Sequence, residues 1–127
     1  MTALDGPTSL RIASAPGTDL ATFVSRAQRV DPSGSVRLVG LGPLLAAYTS
    51  PVNGSGGPTV LALRVQPLLA EAVLDTTVPL VAMSDRFARL LRSTGDWELS
   101  LPPTQAFGPA WAGLSPPRSG WTPIGEL

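Results

Sequence analysis

Apolar and polar positions along this chain change period several times, and each change marks an element. Ser9-Leu10-Arg11-Ile12-Ala13 alternates as a short strand does. Ala15-Pro16-Gly17 then reads as a turn, with Thr18 at the N-cap position and Asp19 near the positive end of a helix. Leu20, Phe23, Val24, Ala27 and Val30 recur at helical spacing, and Asp31-Pro32-Ser33-Gly34 stops the helix with turn chemistry.

Three segments with strand character follow: Val36 to Leu41, Leu44 to Ser50 and Thr59 to Val65. Gly42-Pro43 divides the first pair, and Asn53-Gly54-Ser55-Gly56-Gly57-Pro58 is long enough for an open hairpin loop. Both faces of these strands carry apolar residues: Val36 and Leu38 on one side, Val39 and Leu41 on the other, with Arg37 and Arg64 each set into a strand. Pro67 to Leu74 fits either a short helix or an irregular crossing. Thr76 to Val81 has β character, and Pro79 suits an edge. Ser84 stands where a cap belongs for a second helix, with Asp85 in its first turn, Phe87, Leu90 and Leu91 as its buried stripe, and Gly95 past its end. Asp96 to Leu101 alternates once more as a strand.

From Pro102 onward six prolines and four glycines exclude a helix or central strand, while Phe107, Trp111 and Trp121 supply rings that proline-rich tails usually lack. The pattern predicts one domain over residues 1–127. It has a loose lead-in at 1–7, a core at 8–101 and an ordered extended strap at 102–127. The fold class is α+β, an antiparallel sheet of about five to six strands with two helices on one face and the Pro/Gly/Trp-rich strap at its end.

Composition narrows the chemistry. With neither cysteine nor histidine, the chain has no ordinary zinc site, thiolate nucleophile, Ser-His-Asp relay or disulfide. All nine basic residues are arginines, so Schiff-base and P-loop lysine chemistry are absent as well. No cofactor or metal is implied. A cytoplasmic setting fits the missing cysteines and a start without a basic or apolar leader region. No apolar run approaches a membrane span. Nine basic against nine acidic residues, with a pI of about 6.1, weigh against nucleic acid. Charged residues make up only 14%, where ordinary domains carry about 25%, and mean hydropathy is +0.22. Part of the surface is expected to be covered by something other than water.

The segment Trp111-Ala112-Gly113-Leu114-Ser115-Pro116-Pro117-Arg118-Ser119-Gly120-Trp121, preceded by Ser84-Asp85-Arg86-Phe87-Ala88-Arg89-Leu90, resembles an uncharacterised family of actinobacterial proteins. The resemblance implies that this chain is the N-terminal half of such a protein, with an Ala-rich helical region expected after Pro123 to Leu127. It implies no activity, substrate or catalytic residue.

Each candidate motif has an ordinary explanation. Gly40-Leu41-Gly42 lacks the third glycine of a phosphate loop, and Pro43 blocks the helix that would follow. Asp96 with Glu98, and Glu71 with Asp75, read better as solvated pairs than as catalytic carboxylates. Arg86, Arg89 and Arg92 form a basic flank better explained by pairing or solvation. No catalytic residue is assigned.

The first expectation is a non-catalytic interaction or assembly domain, packing on a twin subunit or its own C-terminal region through Val39, Leu41 and Val60. The alternative is a small-ligand or enzyme pocket under the strap, with Trp111, Arg118 and Trp121 as ligand-binding residues and Tyr48, Arg64, Asp96 and Glu98 as further polar groups. A nucleic-acid module comes third, on element order alone.

Overall fold

A computed structural model describes residues 7–53 and 59–103. Its elements run β1 (Ser9–Ile12), α1 (Ser14–Val30), β2 (Ser35–Asn53), β3 (Thr59–Pro79), α2 (Leu80–Leu90) and β4 (Trp97–Ser100). β1 pairs antiparallel with β4, and β2 with β3, giving two two-stranded sheets. The class is α+β. β1 also lies beside β3, and this order of elements is that of the split β-α-β motif, here without a ladder joining the two sheets.

Among the described residues there are four strands where the pattern suggested five or six. Val36–Leu41 and Leu44–Ser50 belong to one strand, β2, and the segments 59–65, 67–74 and most of 76–81 belong to its partner, β3. Two prolines of β2 sit where the ladder itself breaks. Pro43 lies in the register shift between Gly42 and Leu44, and Pro51 in the shift between Thr49 and Val52. A residue without an N–H loses nothing at such points. Gly42 takes a φ of +71°, which a side chain would strain. Opposite Pro43, β3 inserts Leu68 to Glu71, because Gly42 pairs with Ala72 but Leu44 with Pro67. Such bulges bend a strand. The Arg37 guanidinium lies 5.8 Å from the Tyr48 ring centre, whereas eleven residues of straight strand would separate them by roughly 36 Å. Leu38 and Leu45, on either side of the bend, are both fully buried in one core.

Both helices begin earlier than expected. α1 starts at Ser14 with Ala13 in the N-cap position, so Ala15-Pro16-Gly17 is its first turn. Proline is tolerated there because first-turn amides need no helical acceptor. Thr18 is inside the helix and donates its hydroxyl to the Ser14 carbonyl at 2.9 Å. Leu20 and Val24 are buried as expected, but Val30 is largely exposed. α2 starts at Leu80, whose N–H is bonded to the Gly34 carbonyl at 3.0 Å. Ser84 is not its cap, and its hydroxyl donates to Gln28 Oε1 on α1, tying the helices together. Phe87 is buried and Leu90 half-buried, but Leu91 is exposed.

Gly17 is glycine for a packing reason. A Cβ there would stand 2.6 Å from Trp97 Cε3, so the indole lies directly against the α1 backbone. Trp97 is buried, pairs with Ile12 across the β1–β4 ladder, and meets the Phe87 ring of α2 at 6.1 Å. Gly17→Ala should therefore destabilise the protein by about 1–3 kcal/mol despite alanine's better helix propensity. Urea unfolding checks this. An unchanged or raised midpoint would mean that the indole moves aside freely.

Candidate functional site

Opposite residues of an antiparallel pair share a face, so the register sorts the hairpin into an inner and an outer row. The inner row, with Val36, Leu38, Leu45, Ala47 and Val78, is buried in the core. Before the bend the outer row holds Arg37, Val39 and Leu41 opposite Thr77, Asp75 and Val73. Beyond it come Leu44, Ala46 and Tyr48 opposite Pro67, Val65 and Leu63. The Arg37–Tyr48 contact makes the two stretches adjoin.

An outer strand row is ordinarily polar. Here Leu41 is 66% exposed and Val73, its direct partner, 77%. Leu44, Leu63 and Val65 are each about half exposed, as is Leu69 in the bulge. Of the ten large apolar side chains that are exposed among the described residues, seven lie on these two strands, so the excess is concentrated rather than scattered. Of the three expected interface residues, Val39 is half-buried on this row and Leu41 is central to it, whereas Val60, 46% exposed near the loop end, falls by alternation on the row of Ala62 and Arg64. The pattern missed Val73, although its cross-strand pairing with Leu41 follows once β3 is continuous.

Arg37 anchors the row. Its Nε and Nη2 donate to Asp75 Oδ1 and Oδ2 at 2.9 and 2.7 Å, diagonally across the ladder, and its side chain is only 14% exposed. The hydrogen bonds hold the guanidinium above its already high ordinary value, against the opposing effect of burial. The same bonds hold the Asp75 carboxyl below its ordinary value, with burial working the other way.

The remaining candidates do not converge. Trp111, Arg118 and Trp121, and with them the pocket under the strap, lie outside the described residues. Arg64 is on the inner row opposite Ala47, whereas Tyr48 is on the outer row, so the hairpin separates them. Glu98 faces Arg11 across the β1–β4 ladder, and Asp96 lies before β4 rather than on it, so the two acids do not form a pair on one strand face. Glu71 and Asp75 are on β3 rather than a helix, and Asp75 is bound by Arg37. Gly40-Leu41-Gly42 runs into the bend of β2 rather than into a helix. Arg86 donates to the Ala82 carbonyl one turn earlier, and Arg89 and Arg92 are exposed.

A family profile described as "Domain of unknown function (DUF8010)" matches residues 7–113, most of the chain. The chain belongs to this family. The DUF8010 match spans every described element, including the whole bent hairpin and the Trp97 contact. No curated protein and no solved structure gives a match to the chain. None of its described helices is long and apolar enough to cross a membrane.

The Arg37–Asp75 pair makes stability depend on pH. A carboxyl whose folded value is depressed stabilises the fold above its unfolded value of about 3.9, and that contribution is lost as pH falls through the folded value. Asp75→Asn should unfold at lower urea concentration than the parent at about pH 7, and the two midpoints should converge towards about pH 2. Urea titrations at both pH values measure this, and a pH-independent gap would mean the pair contributes only through packing.

Proposed function

We propose that this DUF8010 domain is a non-catalytic assembly module whose hairpin outer row packs on a second copy of the chain. The observation that carries the reading is the Leu41–Val73 pair, two apolar side chains directly opposite each other and both largely exposed on a row that water would ordinarily fill with polar groups. The low charge of the whole sequence supports it, at 14% where ordinary domains carry about 25%. A twin copy offers the same apolar row, which is the self-complementarity that a two-fold interface requires. This reading carries with it the cytoplasmic setting inferred from the cysteine-free composition.

The test is molar mass in solution by light scattering over a tenfold concentration range, for the parent chain and for the double variant Leu41→Asp, Val73→Asp. The parent should be a dimer. The variant should be a monomer that keeps its folded circular dichroism spectrum, because both positions are exposed within one chain while an unpaired carboxylate at a buried contact is costly. A parent that stays monomeric throughout, or a double variant that still dimerises, would overturn the proposal.

A further inference from the structure

On the other side of the hairpin from the proposed assembly row, α1 and the loop-end half of the hairpin enclose an open cleft of about 410 Å³. That volume lies within the range of about 300–1,000 Å³ typical of small-molecule sites. Phe23, Ala27 and Val30 line it from α1, and Ala62 from β3. Val30, at helical spacing with the core stripe, faces this cleft and is 64% exposed.

The polar lining is sparse and unevenly charged. Arg64 reaches across from β3 to Asp19 on α1, Nη2 to Oδ2 at 3.0 Å, so one guanidinium is matched by the one carboxylate of the lining. Arg26 lies on the same face of α1 as Asp19, two turns further on, and makes no ion pair among the described residues. The lining therefore carries one positive charge in excess. Thr49 adds a polar group to the lining. The residue is only 5% exposed, yet its hydroxyl is not one of the buried groups left without a partner, so it still reaches the solvent of the cleft. Thr22, which also lines the cleft, instead donates to the Thr18 carbonyl at 3.1 Å.

We propose that this cleft binds a small apolar carboxylate, with the carboxylate on Arg26, the Thr49 hydroxyl donating to or accepting from a polar atom of the ligand, and the hydrocarbon body against Phe23, Ala27, Val30 and Ala62. Charge selects the ligand class. A single uncompensated guanidinium matches a monoanion, and a planar guanidinium fork matches the two oxygens of a carboxylate. The site is independent of the assembly reading, because inner and outer rows point to opposite faces of the hairpin.

Octanoate and octanol serve as matched probes in calorimetric titrations, with amide chemical shifts locating the site. Octanoate should bind at least tenfold more tightly than octanol and shift Phe23, Arg26, Thr49 and Ala62 rather than Leu41 and Val73. Arg26→Gln should weaken octanoate at least tenfold and leave octanol unchanged. Asp19→Asn, which frees Arg64, should tighten octanoate. Both substituted positions, Asp19 and Arg26, are exposed on α1, and circular dichroism verifies that each variant folds. Equal binding of the two probes, insensitivity to Arg26→Gln, or shifts confined to the Leu41–Val73 row would overturn the proposal. The dimerisation test is unaffected by any of these outcomes.

Discussion

The contact between the Trp97 indole and the bare Cα of Gly17 holds this fold together. β1 and β4 are each four residues long, and a ladder of that size is not stable by itself in water. What fixes it is a single large side chain that lies on α1 at Gly17, tilts against Phe87 of α2 and pairs across the ladder with Ile12. One residue thus joins the small sheet to both helices. The helices are further tied to each other by the Ser84 hydroxyl on Gln28, and to the start of β2 by the Leu80 amide on Gly34.

The second constraint is the bent hairpin. A strand pair of about twenty residues on each side would overshoot a domain of this size if it ran straight. Gly42, Pro43 and the extra residues Leu68 to Glu71 fold it over, so that Leu38 and Leu45 enter one core. The bend also decides what the two faces do. The inner row is shared between the core and the cleft beneath α1, while the outer row is left with apolar residues around the Arg37–Asp75 clasp. The Arg37–Asp75 and Arg64–Asp19 ion pairs each start from an arginine in the hairpin, and they stand on opposite faces of it. Not every buried polar group is matched, since the Gln66 amide and Arg86 Nε make no hydrogen bond among the described residues.

Much of the local order was legible in the sequence. Leu20 and Val24 repeat with the helical period and are buried, Trp97 and Leu99 alternate and are buried, and the α+β class follows from the order of such segments. Exposed apolar residues at Leu41 and Val60 were legible too, because alternation that fails to place polar residues on either face is visible in one dimension. Val73 and Leu69 were not, since the segment around Pro67 carries no clear period, and only its pairing partner tells which way it faces.

By itself the sequence determined the periodic cores of its elements and the chemistries closed to it, because side-chain spacing and the absence of cysteine, histidine and lysine are properties of the chain alone. Where elements begin and end was decided by tertiary structure. Pro16-Gly17 and Gly42-Pro43 carry the same local signal as a turn, yet one pair opens a helix and the other bends a continuous strand. The difference lies in what stands opposite: an indole that needs a glycine beneath it, and a partner strand with residues to spare. The pairing of Asp19 with Arg64 and of Arg37 with Asp75 has the same origin. Each joins residues about forty positions apart, and only the packing of the hairpin under α1 and its register across the ladder bring them within reach.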